Sequence, residues 1–226
     1  MTAAGWTLVM KEEAMKGARR ILAAVVIVLV VGGAVAIFLG DYFGPVKSNI
    51  RRLGNPDQQV QKQAIDALVQ MGQSAVPALA KALQDKDVRW HAAEALGKIG
   101  EPAVPALAKA LQDQWANARA AQALVQIGEP AVPALVEALK DKNSVNRRIA
   151  AQALAQIGKP AVPALAKALK DKETDIRLLA AVALGQMGLE AKGEGEAALA
   201  EARRKDDVDA VRKAAREALQ RIQAAR

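Results

Sequence analysis

The eight residues GEPAVPAL stand at positions 100–107 and return unchanged at 128–135. GQSAVPAL at 72–79 and GKPAVPAL at 158–165 are close variants. An octet that recurs along a chain leaves few folds open, because each copy must fill an equivalent place in one repeating architecture. The residue before the octet's glycine sets the register: Met71, Ile99, Ile127, Ile157 and Met187, in steps of 28, 28, 30 and 30. Ile222 closes a sixth helix of the same kind after a longer step of 35.

Each unit reads as two helices. In the first, Val88, Ala92, Ala95, Leu96 and Ile99 recur at helical spacing and form one apolar stripe. Gly100 stops that helix, since glycine accepts a left-handed cap without steric penalty. Pro102 reinforces the stop. Pro105 starts the next helix, because proline has no amide proton to lose in a first turn and its φ is already helical. Val104, Leu107, Ala110 and Leu111 then form the second stripe. Asp113 falls at the following corner, where a carboxylate can cap or face the next helix N-terminus. Pairs this short cannot bury their own apolar faces, so stacking on neighbours must supply the core. The chain is only 3% aromatic, so that core must come from close contacts of alanine and leucine. After "GQMG" the corner loses both prolines and gains residues, as expected of a terminal, capping repeat. Lys213, Arg216 and Arg221 lie on that last helix's open side, and the run Arg203 to Asp207 reads as a solvated corner.

Residues 21–40, ILAAVVIVLVVGGAVAIFLG, carry no charge and no proline. Twenty helical residues rise about 30 Å, the thickness of a bilayer's hydrocarbon core. Lys16, Arg19 and Arg20 precede the run and Asp41 follows it, while Phe38, Tyr42 and Phe43 fall where rings sit at a membrane interface. The run is longer than the apolar stretch of a cleaved signal peptide, so an uncleaved anchor is expected. Gly32, Ala36 and Gly40 share one helix face and would let another membrane helix approach closely. The basic residues ahead of the run lie closest to it, which orients a short cytoplasmic N-terminus and exported repeats across a bacterial inner membrane. The expected organisation is therefore all-α: a charged or amphipathic segment over 1–20, a single transmembrane helix over 21–40, a linker over 41–56, and an alpha-alpha solenoid of five to six units over 57–226, the last degenerate.

The formal charge is +8, but residues 1–55 hold 7 basic and 3 acidic side chains, and half the excess flanks the apolar run. The rest is spread over a mixed surface, which disfavours nucleic acid as the partner. Lys81, Lys109 and Lys167 occupy equivalent places in the second helices and form a partial basic column, interrupted by Glu137. A nucleic-acid or anionic-surface binder is accordingly an alternative reading.

The recurring G-x-x-A-V-P-A-L corner resembles that of HEAT-like repeats of the kind grouped with phycobilisome lyases, over about residues 56–226. An arginine early in the first helix belongs to that pattern and stands here as Arg89, Arg177 and Arg212. Arg147 holds the aligned place, whereas Asn117 and Gln61 depart from it. The resemblance implies that these arginines brace adjacent repeats through nearby carboxylates. Some such proteins attach or detach bilins, so a bilin-lyase-like enzyme is a second alternative; others only bind protein partners.

Little in the chain suggests catalysis. There is no cysteine, and His91 is the sole histidine, which leaves no thiolate, no histidine pair and no expected metal or cofactor. Trp90 and Trp115 lie early in neighbouring first helices and read either as core fillers or as partner anchors. The expected function is a non-catalytic, membrane-anchored scaffold or accessory subunit. It would contact lipid and the subunits of a membrane protein complex, with Trp90, Trp115, Lys81, Lys109 and Lys167 as partner surface.

Overall fold

The structure, a computed structural model, describes residues 44–225. The chain divides into two compact units, Met1–Ser48 and Asn49–Arg226. The first is described only over residues 44–48. The expected span over 21–40, with Gly32, Ala36, Gly40, Phe38, Tyr42 and Phe43, lies outside the described residues. Among those that are described, no helix is long and apolar enough to cross a membrane.

Twelve α-helices and five short 3-10 turns make up the described secondary structure, with no strand among them. Helix α1 is Pro45–Leu53, so the stretch expected as a linker holds a helix. Its periodicity accounts for this, since Asn49 and Leu53, one turn apart, are both buried. The first helices of the repeats are α2 (Gln58–Met71), α4 (Arg89–Ile99), α6 (Asn117–Ile127), α8 (Ser144–Ile157), α10 (Thr174–Met187) and α12 (Asp209–Ala224). The second helices are α3 (Val76–Ala82), α5 (Val104–Ala110), α7 (Val132–Ala138), α9 (Val162–Ala168) and α11 (Glu194–Lys205). Consecutive first helices pack on one another, as do consecutive second helices, giving two layers. Each second helix also packs on the first helix that follows it.

Alanine sets the spacing within the first layer. Ala64, Ala92, Ala120, Ala150, Ala180 and Ala215 hold one register position and are all 0% exposed. The leucines four residues later, Leu68, Leu96, Leu124, Leu154, Leu184 and Leu219, are buried too. Each such leucine contributes about 1.5–3 kcal/mol by leaving water. Gly185 lets α10 and α12 approach closely, since a Cβ there would stand 2.8 Å from the Ala218 Cα.

The corner between first and second helix differs from the left-handed cap expected. Gly100 has φ 85° and ψ −144°, the mirror image of extended backbone rather than the left-handed helix. That region belongs almost to glycine alone, so the octet's glycine is required more strictly than a left-handed cap would demand. Residues 101–103, including Pro102, follow as a 3-10 turn, and Pro105 sits in the first turn of α5.

The other corner is built on an Asx turn. The Trp115 amide donates to Asp113 Oδ1 at 2.8 Å. Asn55, Asp85, Asp141, Asp171 and Asp206 each accept from the amide two residues on in the same way. The carboxylate thus folds the corner and is not itself the helix cap. In the last unit the added residues lengthen α11 to 12 residues, against 7 for α9. Glu190 reaches back there to accept from the Lys159 amide at 3.1 Å.

Candidate functional site

The corners come in two lengths, and the difference decides what the column of arginines can reach. Ahead of α8, α10 and α12, the arginine stands six positions after the Asx-turn aspartate. Arg147 donates to the Asp141 carbonyl at 2.9 Å, Arg177 to the Asp171 carbonyl at 3.0 Å, and Arg212 to the Asp206 carbonyl. The same reach lets Gln61 Nε2 donate to the Asn55 carbonyl at 2.7 Å. These arginines also carry carboxylate bonds. Arg147 meets Asp175 of the next repeat at 2.8 Å. Arg177 Nε meets Asp206 at 2.8 Å, and its Nη2 meets Asp207 at 2.8 Å. Arg212 pairs with Asp209 on its own helix.

The solvated corner expected over 203–207 holds for Arg203, Arg204, Lys205 and Asp207, which are exposed, and is corrected at Asp206. The Asp206 side chain is only 5% exposed, and its carboxylate closes on a guanidinium that is 10% exposed. The sequence placed Asp206 beside a basic run; the stack places it against a residue 29 positions earlier. Burial works to raise the Asp206 carboxyl, but the hydrogen bonds from Arg177 and the Val208 amide outweigh it and hold the group below its ordinary value. The hydrogen bond to Asp206 in turn raises Arg177.

Ahead of α4 and α6 the corner is two residues shorter, and these helices have 11 residues where α8 and α10 have 14. Arg89 cannot reach the Asp85 carbonyl in the same manner. It donates forward to the Trp115 carbonyl at 2.8 Å and back to the Gln84 carbonyl at 3.5 Å. Its Nε is buried without a partner. Asn117, at the arginine's place in the next unit, donates to Asn146 at 3.2 Å. Neither helix has a side-chain N-cap; Asn143 caps α8 and Asp57 caps α2, while α10 and α12 have none.

The tryptophans belong to these two short-corner units, and neither fills the core. Trp90 is 49% exposed and Trp115 66%. Arg119 of α6 lies over the Trp90 ring, its Cζ 4.0 Å from the centroid, and donates to Gln122 at 3.1 Å. Trp90, Glu94, Arg119, Gln122 and Gln126 line a shallow cleft between α4 and α6. Arg119 was not singled out from the sequence. Its register was the available signal: it falls one position past the place equivalent to Trp90, on the adjacent helix. His91 Nδ1 is buried and unpaired, and among the described residues no group of three His, Cys, Asp or Glu could hold a metal.

Lys81, Lys109 and Lys167 are exposed on α3, α5 and α9 and so lie in the second layer. The tryptophans belong to the first layer and its corners, so the residues grouped as one partner surface divide between two.

A family model described as HEAT repeats matches residues 46–125, 105–163 and 132–220. No curated protein matches the chain. Among solved structures, human deoxyhypusine hydroxylase in complex with glycerol is 22% identical, with 85% of this chain and 100% of that one covered and a TM-score of 0.43. The complex of CpcE and CpcF of phycocyanin lyase from Nostoc sp. is 24% identical, with 75% and 74% covered and a TM-score of 0.35. A designed armadillo repeat protein in complex with the peptide (KR)4 is 21% identical, with 78% and 99% covered and a TM-score of 0.36.

Proposed function

The chain belongs to the HEAT-repeat family, and from that premise we propose a non-catalytic interaction scaffold, held at a membrane, that docks a protein partner on its short-corner repeats. One observation carries the docking half. Trp90 and Trp115 are the only aromatic residues in the described part of the chain, and both face solvent in neighbouring units. A core this rich in alanine and leucine has no use for them, and burying them against another protein would recover their apolar area. Arg119 over Trp90 and Arg89 at the Trp115 carbonyl hold this surface in place. Tryptophan and arginine together are the side chains most enriched at interface hot spots.

The membrane half is supported by the uncharged run over 21–40. The face of Gly32, Ala36 and Gly40 would contact a membrane helix of the same complex, with Phe38, Tyr42 and Phe43 at the interface. The inner-membrane placement, with the repeats exported, belongs to this proposal.

The test is co-purification from mild detergent extracts of the native host. The full-length chain should sediment with membranes and recover one partner in fixed stoichiometry. The Trp90→Ala/Trp115→Ala variant should sediment equally but lose that partner. A chain found in the soluble fraction without detergent would refute the membrane half, and an unchanged partner yield with the double variant would refute the docking half.

A further inference from the structure

The cleft between α4 and α6 holds a charge that the fold leaves unanswered. Its volume is about 140 Å³. Small-molecule pockets begin at roughly 300 Å³, so this one has room for a side chain and not for a free cofactor. Ala93 and Ala123, both buried, line its floor. Gln126 lies across Gly97, where a Cβ would stand 2.4 Å from its Oε1. Trp90 forms a wall, with the Arg119 guanidinium over its ring.

Two charged residues line the cleft, and one of them is paired. Glu94 meets Lys98 of its own helix at 2.8 Å. Arg119 is half-buried and has no ion pair among the described residues; its hydrogen bond there runs from Nη1 to Gln122 at 3.1 Å. A guanidinium carries five N–H donors, so most of them keep no protein acceptor.

We propose that this cleft takes the carboxylate of a single acidic side chain, glutamate before aspartate, from the docked protein partner. The inference rests on the docking reading above and names the partner's anchor. Stacking on Trp90 fixes the guanidinium before the partner arrives, so little side-chain freedom is left to lose. The donors along the guanidinium's edge match the two oxygens of a carboxylate. The indole and the two alanines cover the methylenes of the entering side chain, and glutamate has one more of these than aspartate. A polyanion fits less well. The places equivalent to Arg119 on the other first helices hold Gln63, His91, Ile149, Leu179 and Ala214. One cation at one step of the stack answers one carboxylate, whereas a nucleic acid is held by a row of cations.

The test uses the full-length chain, immobilised in detergent, and a phage-displayed library of short random peptides. The peptides that bind should share one acidic position. In a synthetic copy of the tightest binder, changing that acid to its amide should weaken binding about tenfold, as loss of a charged hydrogen-bonding partner does. Arg119→Glu should weaken the parent peptide at least as far. A peptide with lysine at the acidic position should regain affinity for Arg119→Glu, which also shows that the variant is folded. Arg119→Lys should recover only part of the binding, because an ammonium lacks the paired donors. Glu94→Gln should tighten binding about twofold by removing a like charge from the cleft. The inference is overturned if no selected peptide depends on Arg119, or if the acid-to-amide change leaves affinity unchanged. Peptides that need Trp90 and Trp115 but share no acidic position remove this inference alone. A native partner recovered equally well by the Trp90→Ala/Trp115→Ala variant refutes the docking reading instead.

Discussion

The corner before α10 and the corner before α4 carry the same arginine in the same register and use it in opposite ways. At the longer corner Arg177 is 8% exposed and bonded on every side, to the Asp171 and Lys172 carbonyls behind it and to Asp206 and Asp207 ahead. At the shorter one Arg89 holds two carbonyls and leaves a buried Nε unmatched. Two residues of chain make the difference. With them, the guanidinium reaches back to its own corner and its remaining donors find carboxylates. Without them, the corner tightens, the helix after it starts later, and a large ring stands outward beside it. One repeat design thus serves two ends, and the long corners brace while the short ones display.

The largest test of that contrast is Asp206→Ala. It removes the buried carboxylate partner of Arg177, which keeps Asp207 and two carbonyls, and it removes the Asx turn, so it should lower stability by about 3 kcal/mol in a denaturant titration followed by circular dichroism. A loss under about 1 kcal/mol would mean that the buried pair does not brace the last repeats. The loss should also depend on pH. The folded Asp206 carboxyl lies below its ordinary value of 3.8. Its contribution is therefore complete above that value and disappears as pH falls through the lower folded value. The gap between parent and variant should accordingly close only in strong acid.

A smaller effect separates the two arginines. Arg147→Ala loses a partly buried charged pair and two carbonyl bonds and should cost about 1.5–3 kcal/mol. Arg89→Ala should cost less than about 1.5 kcal/mol, since it also frees a mismatched buried donor. Equal losses would erase the distinction between corners.

Grafting is more direct still. Replacing residues 85–88, DKDV, with the long sequence DKNSVN from 141–146 should give Arg89 its missing reach and restore a side-chain cap. Stability should rise by about 1 kcal/mol. Partner recovery should fall, because Trp90 and Trp115 would no longer share their present alignment. The smallest stability effect belongs to Trp115→Ala, within about 0.5 kcal/mol, as for surface residues outside the core. The same variant should nonetheless lose partner binding.

Much of this architecture was legible before any coordinate. The register of Met71, Ile99, Ile127, Ile157 and Met187 marks the last residue of each first helix as the structure draws it. Glycine and proline punctuate backbone locally, so their meaning survives without a fold. What stayed hidden depends on residues brought together from one repeat to the next. Asp206 read as a solvated charge because its sequence neighbours are charged, and only stacking supplies Arg177. Trp90 and Trp115 could have faced either way, since a ring's direction depends on the neighbouring helix, not on its own. The helix over 45–53 escaped notice because it follows no repeat, and its two buried positions make a short signal. The second-layer lysines were visible as a column, but their separation from the tryptophans needed the two layers to be assigned.

The claim that the short corners display and the long ones brace meets its most direct test at two equivalent positions. Trp115 and Val145 each stand twelve residues ahead of their register isoleucine, and both are exposed, at 66% and 43%. A photo-crosslinking amino acid placed at either site in the full-length chain, and activated in the native host, probes what each one touches. A single protein adduct from position 115 with none from position 145 is the expected result. No adduct at 115, or the same adduct at both, would contradict it.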